Sequence, residues 1–561
     1  MRREVSVVNK KVCSFPILFA LLALLIGTCA VVFPASAQAA PTSTGSITVS
    51  GTVASSYDAY QIFSANVVDG DSDAKIATDL AWASDAVRDA ALPVLHSAGM
   101  PNSQTTAQEA AEWLNTDSHL TSALSAQLAR SLQNSGAVSV ALNAGTAAEL
   151  PCGYWLIVAK DDAIAQGEAG TAPIMALVGG SAVTVKPKAA TPKVSKHVLE
   201  DSTAAWQKAA DATVADDLYW RLSATVPAGL AAYDTYAVQF VDTMSAGLDP
   251  SKVAASVRVY VAAGADGGFD AVSANKDGRA GTEPAKGWTD ITAQCRVSAD
   301  GKTFTVRTGD LIAALGGADA FTAGARVVAV YNAPLNSACN HGIAKGNPNE
   351  VYLRYPRSPF ADQSGDAGFT RTPSDDACAY TWDLALTKRG SDGDKPLAGA
   401  VLSITDDRGR TLAADGTWDA EGKATVTTGE DGRVTVSGVD SGKLEVRELK
   451  APKGYTAFEG TRSVTVKAEG LDVDQVAAAK PKLTITAESP LRADSADGST
   501  GSLEASLINT PTGTPPSITT GGFMPSTGDM AMYAAAAAAV AGAALIVVAL
   551  LVKRGGGSHK E

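Results

Sequence analysis

The stretch that decides the fold lies near the C-terminal end of the chain and reads KLEVRELKAPKGY, from Lys443 to Tyr455. Leu444, Val446 and Glu448 alternate with polar residues, which is the two-residue period of a half-buried strand. The pattern therefore directs Glu448 into the same hydrophobic interior as the leucine and the valine. Because an unpaired carboxylate costs free energy in such a place, the glutamate requires a specific explanation.

Two other strands of the same region end their apolar faces with a polar residue. Lys388 ends the apolar face of WDLALTK, and Asn509 ends that of SLEASLIN. One interpretation is that each polar side chain simply bends out to solvent at the end of its strand. The other is that Lys388, Glu448 and Asn509 face inward together and carry chemistry.

The inward arrangement predicts a reaction of the protein with itself. Burial lowers the pKa of an amine and raises that of a carboxylic acid. A neutral Lys388 is a nucleophile, and a protonated Glu448 can donate to the carbonyl of Asn509 and relay protons as ammonia leaves. Folding fixes the amine against the amide, which replaces a bimolecular encounter. The predicted product is a Lys388–Asn509 isopeptide bond that forms once, so the chain is not a turnover enzyme.

The motifs around these residues resemble a known family. KLEVRELKAPKGY resembles the E-box of the collagen-adhesin B-type (Cna-B) domains of Gram-positive pilins and adhesins. LALTKRGSDGDKPLAGAVLSI is similar to the opening strand and turn of that family, and LINTP to its closing strand. The resemblance implies that Lys388 and Asn509 form the bond and that Glu448 is the catalytic acid.

The middle of the chain is similar to the second domain of major pilins, which forms an isopeptide bond with a catalytic aspartate. The resemblance places the lysine at Lys196 in PKVSKHV, the aspartate at Asp242 in YAVQFVDTM and the asparagine at Asn349 in NPNEVYLRY. Each is in phase with the apolar residues of its strand. The sequence continues with PRSP where the family often has an asparagine-rich stretch, so Asn347 is an alternative to Asn349.

Both ends of the chain carry export and anchoring signals. A basic start, an apolar run and PASAQAAP predict a signal peptide over residues 1–40. Near the other end, MPSTG precedes about 23 uncharged residues and a basic tail. This arrangement resembles the sorting signal of Gram-positive surface proteins, with Met524 in place of the usual leucine, followed by Pro525. In that family a sortase cleaves the bond that corresponds to Thr527–Gly528. A permanently membrane-anchored protein is the alternative.

The stretch SAVTVKPKAATPK is similar to the pilin motif, in which a lysine accepts the threonyl carbonyl of the next subunit. Lys188 occupies the acceptor position. The tryptophan of the motif is missing, and Lys186 stands at its tyrosine position. Lys186 and Lys193 are therefore alternative acceptors, and a solvated basic linker is the non-functional interpretation.

These observations predict a mainly β chain of tandem immunoglobulin-like β-sandwich domains of Cna-A and Cna-B type. Thr106 and Glu109 form a capping-box signature, and leucines 120, 124, 128 and 132 mark one helix face, so the first domain should carry a helical insertion. We divide the chain into a signal peptide (1–40), a first segment (41–190), a second segment (191–374), a third segment (375–511), a Thr/Pro/Gly spacer with the sorting motif (512–528), and a transmembrane helix with a basic tail (529–561).

Composition narrows the classes of partner and chemistry. A formal net charge of −13 argues against nucleic acid or an anionic surface as a partner. The histidines show no metal-ligand spacing, and no motif of a hydrolase or a phosphate-binding loop is present, so we expect no metal and no cofactor. Outside the cell a disulfide can form, and Cys295 with Cys339 is our first assignment.

The sequence as a whole resembles sortase-assembled backbone pilins of the SpaA type. That resemblance implies a shaft subunit on a Gram-positive cell surface, first membrane-bound and then joined to peptidoglycan. Its partners would be a sortase, identical subunits, accessory or tip pilins and host surface ligands. The alternative is a wall-anchored adhesin or accessory pilin that uses the same domains without polymerising.

Overall fold

The computed structural model describes residues 43–513 except 72–73, 117, 189–190, 229 and 265–286. Within this part the chain is mainly β, as predicted, and its strands form several sheets that pack face to face. The predicted signal peptide, sorting motif and transmembrane helix lie outside the described residues. Among the residues that are described, no helix is long and apolar enough to span a membrane.

The first segment combines two sheets with a helical insertion. One sheet has the order β5-β1-β8, and the other has the order β3-β2-β6-β7 with β4 beside β2. The insertion follows β3 and ends before β4. The strands are β1 (Thr44–Val49), β2 (Ser56–Asp69), β3 (Lys75–Trp82), β4 (Ser139–Asn143), β5 (Ala147–Pro151), β6 (Gly153–Ala159), β7 (Ile174–Val178) and β8 (Val183–Val185), and the helices are α1 (Asp85–Ser97), α2 (Ala107–Asn115) and α3 (Ser122–Asn134).

The predicted helix signals are present in the insertion. Thr106 caps α2 through a capping box, in which its hydroxyl accepts from the backbone N–H of Glu109 and the glutamate side chain accepts from the backbone N–H of Thr106. In α3 the leucines at 124, 128 and 132 are buried against the sheet, while Leu120 lies before the helix begins. The structure adds α1, which the sequence patterns did not predict.

The second segment is a sandwich of two sheets. One has the order β10-β9-β12-β18-β14-β15, and the other has the order β11-β21-β19-β13-β17-β16 with β20 beside β19. The elements are β9 (Val194–Glu200), β10 (Ala205–Gln207), β11 (Ala209–Asp211), β12 (Tyr219–Thr225), β13 (Gln239–Met244), α4 (Val253–Ser256), β14 (Arg258–Ala262), β15 (Thr289–Asp290), β16 (Arg296–Asp300), β17 (Thr303–Arg307), α5 (Leu311–Ala314), β18 (Arg326–Asn332), β19 (Asn347–Pro356), β20 (Phe369–Arg371) and β21 (Asp375–Tyr380).

The third segment is also a sandwich. One sheet contains β27-β22-β33 with β29 and β32 beside β33, and the other has the order β25-β24-β23-β28-β30-β31 with β26 beside β23. The strands are β22 (Trp382–Gly390), β23 (Val401–Thr405), β24 (Thr411–Leu412), β25 (Trp418–Asp419), β26 (Val426–Thr427), β27 (Arg433–Val439), β28 (Gly442–Lys450), β29 (Tyr455–Thr456), β30 (Thr461–Glu469), β31 (Lys482–Ala487), β32 (Leu491–Asp497) and β33 (Ser502–Pro511).

The second and third segments share a pair of strands. β11 and β21 run parallel, and β21 also pairs with β19 of the second segment although it follows the predicted boundary at residue 374. Ala377 and Ala379 of β21 belong to the hydrophobic core of the second segment, whereas Cys378 and Tyr380 belong to that of the third. This alternation follows from the two-residue period of a strand that is covered on both faces. The domain boundaries themselves stay predictions.

Candidate isopeptide-forming sites

The first and last strands of the third segment lie side by side. β22 and β33 are parallel neighbours, with Lys388 opposite Leu507 and Gly390 opposite Asn509. Lys388 and Asn509 therefore stand on the core face of one sheet, two residues apart in register. Glu448 reaches them from β28 in the facing sheet, because it is in phase with the buried Leu444 and Val446.

The three side chains meet in the core. The side chains of Lys388 and Glu448 have no solvent exposure, and the lysine Nζ lies 3.9 Å from Oε1 of the glutamate. The Nδ2 atom of Asn509 donates to Oε1 and Oε2 of Glu448, at 2.9 Å each. The lysine also donates to the carbonyl of Leu507 at 3.0 Å, and the backbone N–H of Phe458 donates to Oε2 of Glu448 at 3.1 Å. The sequence-predicted trio is thus assembled.

One detail differs from the expected geometry. We expected the glutamic acid to donate to the asparagine carbonyl, but the amide nitrogen faces the carboxyl group and Oδ1 of Asn509 has no hydrogen-bond partner. Both oxygens of Glu448 act as acceptors, so the N–H side of the amide is the side that turns toward them. The carboxyl group consequently faces the nitrogen that would leave as ammonia.

Burial sets the protonation of the lysine in this cluster. Removal from water lowers the pKa of Lys388 to about 8, and the nearby Glu448 opposes that shift. At a given pH a larger fraction of Lys388 is therefore neutral than of an exposed lysine. A neutral amine has the lone pair that attack on an amide carbonyl requires.

The second segment contains a similar cluster built from both of its sheets. Lys196 lies on β9 and Tyr331 on β18 of one sheet, while Asp242 lies on β13 and Asn349 on β19 of the other. β13 and β19 are antiparallel neighbours in which Met244 pairs with Asn349, so the aspartate and the asparagine are on the same face. The residues Lys196, Asp242, Asn349 and Tyr331 are all completely buried.

Hydrogen bonds connect all four groups. The Nζ atom of Lys196 donates to Oδ2 of Asp242, and it lies 2.9 Å from the hydroxyl oxygen of Tyr331. The Tyr331 hydroxyl donates to Oδ2 of Asp242 at 3.0 Å and accepts from Nδ2 of Asn349 at 2.8 Å. The amine, the acid and the amide are therefore linked through one phenol. Oδ1 of Asn349 and Oδ1 of Asp242 have no hydrogen-bond partner.

Burial in this cluster brings the pKa values of the Lys196 amine and the Asp242 carboxyl closer together. Burial lowers the pKa of Lys196 to about 8, against the opposing effect of Asp242. Burial also raises the pKa of the Asp242 carboxyl, against the effects of Lys196 and Tyr331. The pKa of Tyr331 is raised well above its usual value, so its hydroxyl keeps its proton. A proton can pass from Lys196 to Asp242 at a lower cost than between the same groups in water.

The geometry distinguishes the two candidate asparagines. Asn347 is also fully buried, but its side chain accepts from the backbone N–H of Asn340 and donates to the carbonyls of Asn340 and Ala379. Those contacts anchor the loop before β19. Only Asn349 contacts the cluster that contains the lysine.

Sequence reasoning missed Tyr331 and Trp220. The Tyr331 ring lies 5.4 Å from Nζ of Lys196, as does the ring of Trp220. Tyr331 is in phase with the buried Val327 and Ala329 in ARVVAVYNA, so its inward direction was readable. Its position opposite the lysine depends on the pairing of β18 with β12, which the sequence does not specify.

The remaining predicted residues lie apart from these clusters. Lys186, Lys188 and Lys193 are all exposed, on the connection between β8 and β9. Met524, Pro525, Thr527 and Gly528 lie outside the described residues. The assignment of a Cys295–Cys339 disulfide is wrong for this structure, because both cysteines are free: the Cys295 thiol donates to the carbonyl of Ile291, and the Cys339 sulfur lies 3.6 Å from Nε2 of His341.

Comparison with known proteins identifies one of these regions. Residues 383–480 match the family model described as SpaA, prealbumin-like fold domain. A curated relative, the trypsin-resistant surface T6 protein of Streptococcus pyogenes serotype M6, is 30% identical over 143 residues. That match covers 24% of this chain and 24% of the relative, so the chain spans about a quarter of the length of that protein.

A search of solved structures finds the T6 backbone pilin of Streptococcus pyogenes as a similar structure, with a TM-score of 0.45 and 16% identity. The alignment covers 84% of this chain and 98% of that one. The full-length major pilin SpaD from Corynebacterium diphtheriae gives a TM-score of 0.40 with 15% identity, over 84% of this chain and 100% of that one. The major pilin SpaA from the same organism gives 0.36 with 14% identity, over 83% and 99%.

Proposed function

We propose that this chain, whose residues 383–480 match the SpaA prealbumin-like fold domain, is a structural shaft subunit of a covalently polymerised pilus. The observation that carries the proposal is the presence of two buried clusters, each with a lysine, a carboxylic acid and an asparagine. Burial of so many polar groups in two cores is costly unless they pair or react. In this proposal the chain acts once on itself and is the substrate of another enzyme.

Each cluster would form one isopeptide bond. In the second segment, Nζ of Lys196 attacks Cγ of Asn349, and Asp242 takes a proton from the amine. The tetrahedral centre then loses the amide nitrogen, which leaves as ammonia after it receives that proton. One C–N bond forms, one C–N bond breaks, and no oxidant or cofactor is needed. Lys388, Asn509 and Glu448 would follow the same steps in the third segment.

The proposed bonds would give a shaft its mechanical continuity. Tension that enters at Lys188 would reach Lys196 along the chain and cross directly to Asn349. It would then follow β19 and β21 to Lys388 and cross to Asn509. Most strands of both sandwiches would lie outside this covalent path, so their hydrogen bonds would not carry the full load.

Assembly would proceed through the two terminal signals. We propose that a sortase cleaves between Thr527 and Gly528 and transfers the threonyl carbonyl to a lysine of the next, identical subunit. Lys188 is the proposed acceptor, because it is exposed and occupies the acceptor position of the pilin-like motif. The last subunit would be transferred to peptidoglycan, which leaves the polymer on a Gram-positive cell surface, where accessory or tip pilins and host ligands can bind it.

A substitution at the acceptor tests polymerisation separately from the internal bonds. We expect a wall extract of wild-type cells to give a ladder of high-mass species on a denaturing gel, and cells that carry Lys188→Ala to lose it. Lys186→Ala and Lys193→Ala are matched controls, since both lysines are exposed on the same connection. If all three variants keep the ladder, none of these lysines is a required acceptor. If the wild-type chain gives no ladder, the non-polymerising adhesin or accessory pilin is the better description.

A further inference from the structure

Four arginines form a row across the outer face of one sheet in the second segment. Arg296 on β16 pairs with Arg307 on β17, and Arg307 pairs with Gln239 on β13. Gln239 pairs in turn with Arg354 on β19, which pairs with Arg371 on β20. Directly paired residues point to the same face of a sheet, and the core face is occupied by their neighbours along each strand. With strands about 4.8 Å apart, this arginine row is about 19 Å long.

Ion pairing within the chain does not account for the arginine row. Within the described parts of the chain, only Arg354 of the four arginines forms an ion pair. Its partner is Asp366, whose Oδ2 lies 2.8 Å from the guanidinium group. Arg296, Arg307 and Arg371 have no such partner there. Like charges directly opposite each other on neighbouring strands destabilise a sheet. Each of the two directly opposed pairs, Arg296–Arg307 and Arg354–Arg371, therefore carries a repulsion that a bound anion would relieve.

Aromatic rings and the backbone hold several of the guanidinium groups in place. Arg354 and Arg371 lie over the ring of Tyr352, at 6.0 and 5.2 Å from its centroid. Arg307 lies 5.4 Å from the ring centroid of Phe369 and donates to the backbone carbonyl of Gln363. Such contacts restrict the side chains but leave N–H groups at the guanidinium edge for a ligand.

Two clefts open beside the row, and the segment 362–366 lines both of them, through Asp362 to Ser364 in one and Asp366 in the other. The larger, of about 590 Å³, is lined by Arg296 and Arg307, and the smaller, of about 270 Å³, by Arg354, Arg357 and Arg371. Between Arg307 and Arg354, Gln239 is only 3% exposed and its Nε2 atom has no hydrogen-bond partner, so the centre of the row holds a buried donor that is unpaired.

Carboxylates also face the larger cleft, but they are already engaged. Asp310 accepts from the backbone N–H groups of Tyr236 and Ile312. Asp362 accepts from the backbone N–H and the hydroxyl of Ser364. Each carboxylate therefore already accepts hydrogen bonds from the protein, whereas Arg296 has no carboxylate partner among the described residues.

We propose that the arginine row binds a linear sulfated polysaccharide, with one sulfate group at the Arg296–Arg307 pair and another at the Arg354–Arg371 pair. A guanidinium group matches the oxygens of an oxyanion with two parallel hydrogen bonds. The centres of the two pairs lie about 14 Å apart, three strand spacings, so a single small anion cannot contact both. This inference does not depend on the proposed pilus function.

The overall charge of the chain favours a single polysaccharide chain as the ligand over a membrane surface or a nucleic-acid duplex. The formal net charge is −13, so an anionic membrane or a nucleic-acid duplex would meet repulsion from most of the surface. A single polysaccharide chain can contact the row and avoid the rest. Two linked sulfate contacts also reinforce each other through effective concentration.

Surface plasmon resonance with the full chain in a non-ionic detergent tests the proposal, with a heparin hexasaccharide as the probe. We expect binding that weakens as salt rises, with no binding to the same saccharide after desulfation. Arg296→Gln with Arg371→Gln should weaken binding at least about tenfold, because each removes a charged hydrogen-bond donor that has no ion-pair partner. Arg433→Gln with Arg492→Gln changes the charge equally in the third segment and should leave the affinity within about twofold.

A gain-of-binding variant separates this result from misfolding. Asp366→Asn frees Arg354 from its carboxylate and should strengthen binding about threefold or more. The proposal would be overturned if the wild-type chain did not bind, or if the Arg433/Arg492 double variant lost as much affinity as the Arg296/Arg371 double variant. Weaker binding by Asp366→Asn than by the wild type would also overturn it. Tighter binding of a linear polyphosphate of matched length would overturn the assignment to sulfated saccharides.

Discussion

The amide nitrogen of Asn509 donates to both carboxylate oxygens of Glu448 at 2.9 Å, across the two sheets of the third segment. Neither residue is near the other in sequence, and each ends an apolar strand face. The contact explains why a glutamate stands in phase with the core residues Leu444 and Val446. It also turns toward the carboxyl group the amide nitrogen that would leave as ammonia in the proposed reaction.

The two buried asparagines of β19 should behave differently. Asn349→Ala removes the amide that contacts the lysine cluster, so the intact mass should rise by the ammonia that is otherwise lost, apart from the substitution itself. Asn347→Ala should keep the bond and instead lower the unfolding free energy by about 1–3 kcal/mol, because it leaves buried backbone groups unpaired. The opposite pattern in the two intact masses would assign the reaction to Asn347.

Tyr331 should act as a positioning residue for the reaction in the second segment. Its hydroxyl contacts the lysine, the aspartate and the asparagine, so Tyr331→Phe should slow bond formation by about tenfold or more. The cross-linked fraction, followed by intact mass after synthesis, measures this rate. Tyr236→Phe is the control, since that tyrosine is buried in the same core and, among the described residues, its hydroxyl forms no hydrogen bond with Lys196. If Tyr331→Phe forms the bond at the wild-type rate, Tyr331 has no role in the reaction.

The third segment should become pH-sensitive when its bond cannot form. In Asn509→Ala, Lys388 stays a free amine with a pKa lowered from 10.5 to about 8. Between pH 8 and pH 10.5 the unfolded chain then binds more protons than the folded chain, so stability should rise with pH, by at most about 1.4 kcal/mol per pH unit. Below pH 8 this contribution should be flat.

Urea unfolding at several pH values measures that slope. The control is Asn509→Ala combined with Lys388→Met, which lacks the titrating amine and retains every other ionisable group. The difference between the two slopes should be positive from pH 8 to 10.5. Identical slopes would mean that Lys388 is solvated when it is not cross-linked.

Loss of the third-segment bond should also reduce stability at a fixed pH. Glu448→Gln keeps the size of the side chain but removes the acid, so Lys388 and Asn509 should stay unlinked. Closing a loop between residues 388 and 509 is worth about 5 kcal/mol in the chain-entropy model. Denaturant unfolding should show a loss of that order. A variant that lacks the bond by mass and retains wild-type stability would contradict this entropic contribution.

The core-facing polar residues were predictable because strand periodicity is a local property. Lys388, Glu448 and Asn509 each follow the apolar phase of their own strand, as do Lys196, Asp242 and Asn349, and the structure buries all six. The capping box at Thr106 was readable for the same reason. A correct phase does not depend on knowing which strands pair.

The features that depend on pairing between distant strands could not be predicted in this way. Tyr331 joins the lysine cluster only because β18 and β9 both pair with β12. The arginine row arises from the register of five strands, and no single strand contains more than one of its arginines. The net charge of −13 does not reveal the row either, because composition does not record where the charges lie.

The intact mass of the soluble part, residues 41–511, with the cross-linked peptides mapped, tests the central claim most directly. We predict a mass that is lower than that of the sequence by two ammonia molecules, and cross-links that join Lys196 to Asn349 and Lys388 to Asn509. Asp242→Ala should restore one ammonia and Glu448→Ala the other, each after allowance for its substitution. An unmodified wild-type mass would contradict the account.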